Sequence, residues 1–67
     1  MPQEELNAWQ KVLAIDPEDV QALVRSGFLA FQLKMPKTGL DAYFRLKTLS
    51  PMQSEEVLAA YKELLTL

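Results

Sequence analysis

The chain has 67 residues, seven basic against nine acidic side chains for a formal charge of −2, and 49% apolar residues. That length holds one small domain, since two independent ones need at least about 100 residues, and the apolar share belongs to a folded chain rather than a disordered one. Cysteine and histidine are both absent, which excludes disulfide staples, thiolate chemistry, the commonest metal ligand and the commonest general base near neutral pH.

Charges of both signs are interleaved along the chain, so no cationic face is expected to recruit nucleic acid. No apolar run approaches the roughly 20 residues of a membrane span, so no membrane insertion is expected. No signal peptide opens the sequence, and the expected compartment is the cytoplasm.

Pro2, Pro17, Pro36 and Pro51 each precede a segment of helix formers. Proline suits a first helical turn because its missing N–H has no intrahelical partner there. With no hairpin dipeptide and no sustained alternation, the pattern predicts an all-α chain of four short helices. The first runs from about Gln3 to Ile15, with Leu6, Trp9, Val12 and Leu13 in one stripe and Glu4 and Glu5 in the first turn. Asp16 ends it and is expected to cap the second helix, from about Glu18 to Lys34. Val20, Leu23, Val24, Gly27, Ala30 and Phe31 form one face of that helix, and Phe28, Leu29 and Leu33 widen it almost all round. Such a helix is expected to touch neighbours on more than one side, and its mid-helix Gly27 to let one of them approach closely.

A turn at Lys34 to Lys37 leads into the third helix, about Lys37 to Leu49, with Leu40, Tyr43, Phe44, Leu46 and Leu49 as its stripe. Ser50-Pro51 repeats the stop-and-cap signal, and Ser54-Glu55-Glu56-Val57 offers an alternative start for the fourth helix, which is expected to end near Leu67. Connections this short make neighbouring helices antiparallel.

Asp16-Pro17 and Ser50-Pro51 lie 34 residues apart, and the same shift places Leu6 on Leu40, Ala8 on Ala42, Trp9 on Tyr43, Lys11 on Arg45, Val12 on Leu46 and Ile15 on Leu49. The first and third helices are therefore two copies of one element. The second and fourth match less well, with Leu23 on Val57 but Gly27 on Tyr61. A helix–turn–helix period of 34 resembles the tetratricopeptide repeat family. Residues 18–51 resemble one full repeat, with Gly27 at the small position of helix A, Gly39 at the small position of helix B, Tyr43 as its aromatic and Pro51 as the closing proline. Leu23 stands at a position that often holds a large aromatic. Ala30, Ser26 and Leu46 depart from the usual tyrosine, leucine and alanine. Residues 2–17 then resemble a preceding helix B, and 52–67 a following helix A or a capping helix.

The resemblance implies an antiparallel, right-handed helix-pair solenoid over residues 1–67, and a protein–protein interaction module rather than an enzyme. Helix A lines the concave, ligand-binding surface of the family. The implied partner-binding residues are Gln21, Val24, Phe28, Phe31 and Gln32 on the second helix. On the fourth they are Leu58, Lys62 and Leu65, beside Glu55 and Thr66. An apolar or amphipathic protein segment is the implied ligand, with no cofactor. Phe28 and Phe31 are open to two readings, core packing or groove. The clamp some family members use for chaperone tails has Val24, Arg25, Phe28 and Ala59 at its places here, of which only Arg25 is compatible.

Glu4-Glu5 and Glu55-Glu56 are sequence neighbours that point about 100° apart on a helix, which rules out a convergent catalytic dyad. Trp9 reads either as an interface anchor or, from its match with Tyr43, as core. The helix order B–A–B–A leaves one side of the first helix uncovered. The alternative function is therefore a structural module that oligomerises through its unpaired terminal helices, head to tail or as a symmetric dimer, without a peptide ligand. A chain cut from a longer array is a further alternative.

Overall fold

A computed structural model describes residues 1–66, arranged as α1 (Pro2–Ile15), α2 (Val20–Gln32), α3 (Pro36–Leu49) and α4 (Pro51–Thr66), with no strand among the described residues. Pro2, Pro36 and Pro51 each open a helix. α1 and α3 begin and end 34 residues apart, and α2 and α4 stop in the same register. The expected helix end near Leu67 falls outside the described residues.

The second proline behaves differently. Pro17 and Glu18 form a turn, and α2 starts at Val20, later than expected. Asp16 does not cap this helix: its carboxylate accepts the Glu18 N–H at 3.2 Å, holding the turn. Asp19 is the cap, accepting the Ala22 N–H at 3.0 Å. In the second copy, Gln53 stands at the place of Asp19. Ser50 ends α3 and donates its hydroxyl to Gln53 Oε1 at 2.8 Å, so α4 begins at Pro51. Ser54, the alternative start, lies inside α4, buried, with its hydroxyl on the Pro51 carbonyl at 2.7 Å.

α2 closes with a paired 6→1 and 5→2 bond: the Met35 N–H reaches the Ala30 carbonyl at 2.8 Å and the Lys34 N–H that of Phe31 at 3.0 Å. This geometry holds Lys34 at φ 60°, a left-handed conformation that glycine adopts without the steric cost of a Cβ. Lys34→Gly is therefore expected to stabilise the fold by about 0.5–1 kcal/mol, the relief of strain exceeding the entropy that glycine adds to the unfolded chain. Thermal denaturation followed by circular dichroism checks it, and a lowered Tm would show that the strain is not there.

The packing centres on α2, which touches α1, α3 and α4, as its broad apolar face implies. Leu13, Ala22, Leu23, Phe31, Ala42, Leu46 and Val57 form the core. Glycines set two of the approaches. A Cβ on Gly27 would lie 2.8 Å from Val57 Cγ1 of α4 and 3.7 Å from Ala42 Cβ of α3. A Cβ on Gly39 would lie 2.6 Å from Phe31 Cζ and 2.7 Å from Cδ1. The pairs Phe31–Gly39 and Gly27–Ala42 make α2 and α3 antiparallel, while Gly27–Val57 and Phe31–Tyr61 make α2 and α4 parallel. The Arg25–Glu5 pair at 3.9 Å joins α1 to α2, also antiparallel; both side chains are half exposed, so it contributes little.

Among the described residues α1 approaches neither α3 nor α4 closely, and α3 touches α2 and α4. Each helix thus packs on its chain neighbours, with α2 against α4 as the one further contact. The molecule is a slab of 34 × 28 × 15 Å. Ser26 is fully buried, and its hydroxyl has no hydrogen-bond partner among the described residues.

One expected stripe needs correction. Phe44 and Leu49 are not core: they are 60% and 37% exposed, since the side of α3 facing α2 is taken by Gly39, Ala42 and Leu46. Trp9 is half-buried against the core, in agreement with its match to Tyr43. No described helix is long and apolar enough to cross a membrane.

Candidate functional site

The parallel α2 and α4 are locked together at Gly27–Val57 and Phe31–Tyr61, the two rings tilted at 43° with centroids 5.2 Å apart. Beyond these contacts, towards the C-terminal ends of both helices, a groove of about 420 Å³ opens between them. Phe28, Phe31, Gln32 and Lys34 line one wall, and Ala60, Glu63 and Leu64 the other. The groove is apolar along its floor and carries one charge of each sign, neither held in an ion pair among the described residues.

Phe28, Phe31 and Gln32, three of the α2 residues that the repeat resemblance implies, are brought together on this wall. Phe31 is nevertheless a core residue, 3% exposed, wedged against Gly39 and Tyr61, and only its edge reaches the groove. Phe28 is half-buried and Gln32 exposed. Gln21 is exposed and Val24 half-buried against the core, and neither lines the groove.

On α4 the lining residues differ from the sequence assignment. Leu58, Lys62 and Leu65 do not line the groove; Ala60, Glu63 and Leu64 do. Val57 enters the gap that Gly27 leaves, which turns the positions three and seven residues later towards α2. Leu58 is half-buried, Lys62 exposed and Leu65 66% exposed on another side of the helix. The rotation was not readable from the 34-residue shift, because Tyr61 falls on Gly27 and the two helices cannot be superposed side chain by side chain.

A second groove, of about 580 Å³, lies between α1 and α3 and is lined by Gln10, Lys37, Thr38, Leu40, Asp41 and Phe44. Four of its six lining residues are polar or charged, with Leu40 and Phe44 as its apolar part, and Asp41 is paired with Arg45 at 3.4 Å. One signal for it was present in the sequence: the 34-residue shift sets Phe44 on the polar Gln10, which marks an exposed position. Arg25, the one residue compatible with a carboxylate clamp, is paired with Glu5. Among the described residues no group of acidic side chains is placed to hold a metal ion.

Compared with known proteins, the chain matches no family model, no curated protein and no solved structure.

Proposed function

We propose that the chain is a tetratricopeptide-like helix-pair array acting as a protein–protein interaction module. It would hold an apolar or amphipathic segment of a partner in the groove between the C-terminal ends of α2 and α4. In the repeat reading both are A helices, and the groove lies on the concave side. The observation that carries this reading is the half-buried Phe28 beside Ala60 and Leu64, an apolar floor open between two parallel helices. Grooves of this kind take a helix or extended peptide by its apolar side chains. The contact order of the helices supports an open array: α1 stays clear of α4, which a closed four-helix bundle would bring together.

The test is a selection of random 12-mer peptides against the folded chain, followed by NMR mapping of each binder on isotope-labelled protein. Binders are expected to shift the amides of Phe28, Gln32, Ala60 and Glu63, and Phe28→Ala is expected to weaken them by about tenfold or more while the helix content stays unchanged. Binders that map to Lys37, Asp41 and Phe44 instead would move the site to the α1–α3 groove. A selection that yields no binder would favour a chain without a peptide ligand.

A further inference from the structure

The two charges on the rim of the α2–α4 groove limit what can occupy it. In the register set by Gly27–Val57 and Phe31–Tyr61, Glu63 of α4 comes level with Leu33, the neighbour of Lys34. The apolar floor of Phe28, Ala60 and Leu64 therefore ends between a cation on the α2 wall and a carboxylate on the α4 wall. Both side chains are exposed, and neither is held in an ion pair among the described residues. Lys34 also stands at φ 60°, where glycine would sit without steric penalty. The turn that closes α2 is made by backbone bonds alone, so this side chain adds charge to the rim at a cost to the fold.

The floor from Phe28 to Lys34 is about 9 Å long at about 1.5 Å per helical residue, room for two side chains one turn apart. An extended segment would send alternate side chains away from the floor and find no sheet edge for its backbone. A helix satisfies its own backbone and presents side chains to the floor and to both walls at once. The residues just before and just after a floor residue stand about 100° to either side of it. Taking that groove as the binding site, a reading on which this rests, we propose that its occupant is a short amphipathic helix with unlike charges on its two flanks. A carboxylate on the flank against α2 meets Lys34, and a cation on the flank against α4 meets Glu63. A like charge on either flank meets repulsion instead, so the pair contributes selectivity more than affinity. Reversing a helix along the groove exchanges its flanks, so the same two charges fix its direction.

The probes are four alanine-based helical 12-mers with leucine at i and i+4. One carries glutamate before each leucine and lysine after it. The other three carry glutamine, glutamate or lysine at all of those flanking places. NMR titration of the whole chain at about 0.15 M salt, where charges farther apart than about 8 Å are screened, measures their affinities. The mixed peptide is expected to shift the amides of Phe28, Gln32, Ala60 and Glu63, and to bind about fivefold tighter than the glutamine peptide. Lys34→Glu is expected to make the lysine peptide the tightest of the four, and Glu63→Lys the glutamate peptide. Lys11→Glu changes the net charge as Lys34→Glu does, but it lies on α1 and is expected to keep the wild-type order. Lys34→Gln replaces Lys34→Glu if circular dichroism shows lost helicity, and is expected to shrink the advantage of the mixed peptide. Equal binding of the mixed and glutamine peptides at the groove amides overturns the proposal and leaves the groove reading standing. An order that moves alike in Lys11→Glu and Lys34→Glu does the same. Peptides that bind nowhere, or at Lys37, Asp41 and Phe44, overturn both.

Discussion

Phe31→Ala is expected to cost about 3–5 kcal/mol, the range for removing a buried aromatic ring from a packed core. A domain this small is held by a few kcal/mol in all, so the variant should be largely unfolded at room temperature. The ring is 3% exposed and joins three helices: it belongs to α2, fills the space left by Gly39 of α3, and meets Tyr61 of α4. Its loss leaves a cavity that none of the three can close alone. Phe28→Ala removes the same atoms from a half-buried site and should cost far less. Urea titration of both variants measures the difference, and equal losses would mean that Phe31 and Phe28 have the same surroundings.

The second large effect is at Gly39, where the sign is informative. In an exposed helix, alanine in place of glycine stabilises by about 1 kcal/mol. Here the added methyl group would stand 2.6 Å from Phe31 Cζ, and Tyr61 packs against the same ring. Gly39→Ala is therefore expected to destabilise by about 1–3 kcal/mol, as overpacking of a closed core does. In a Phe31→Leu background the methyl group meets a smaller neighbour, and the same substitution should cost less or turn favourable. The double-mutant cycle yields a coupling free energy. Coupling near zero would show that Phe31 does not set the spacing of α2 and α3.

Much of the helical layout was legible because proline chemistry is local. Pro2, Pro36 and Pro51 open their helices, while Pro17 sits in the turn before α2, and the 34-residue register of α1 and α3 follows from their matching side chains. The start of α2 was not legible. Asp16 and Asp19 are both good caps, and the choice between them depends on which backbone N–H each carboxylate reaches. Of the α2 residues that the repeat resemblance implied, Phe28, Phe31 and Gln32 line the α2 wall of the groove and Gln21 and Val24 do not. The α4 wall was missed because its rotation is set by a distant event, the entry of Val57 at Gly27. Phe44 misled for a related reason: helical spacing says which residues share a side, but not which of two neighbouring sides is covered.

The absence of any close approach between α1 and α4 among the described residues has a kinetic meaning. The farthest closure the core requires is that of α2 with α4 across α3, at Gly27–Val57 and Phe31–Tyr61, so the entropy of closing a loop over the whole chain is not incurred. The α2–α3 hairpin, with its glycine-set contact, can assemble first and offer its two sides to the outer helices in either order. Topologies of such low contact order fold on the microsecond-to-millisecond scale.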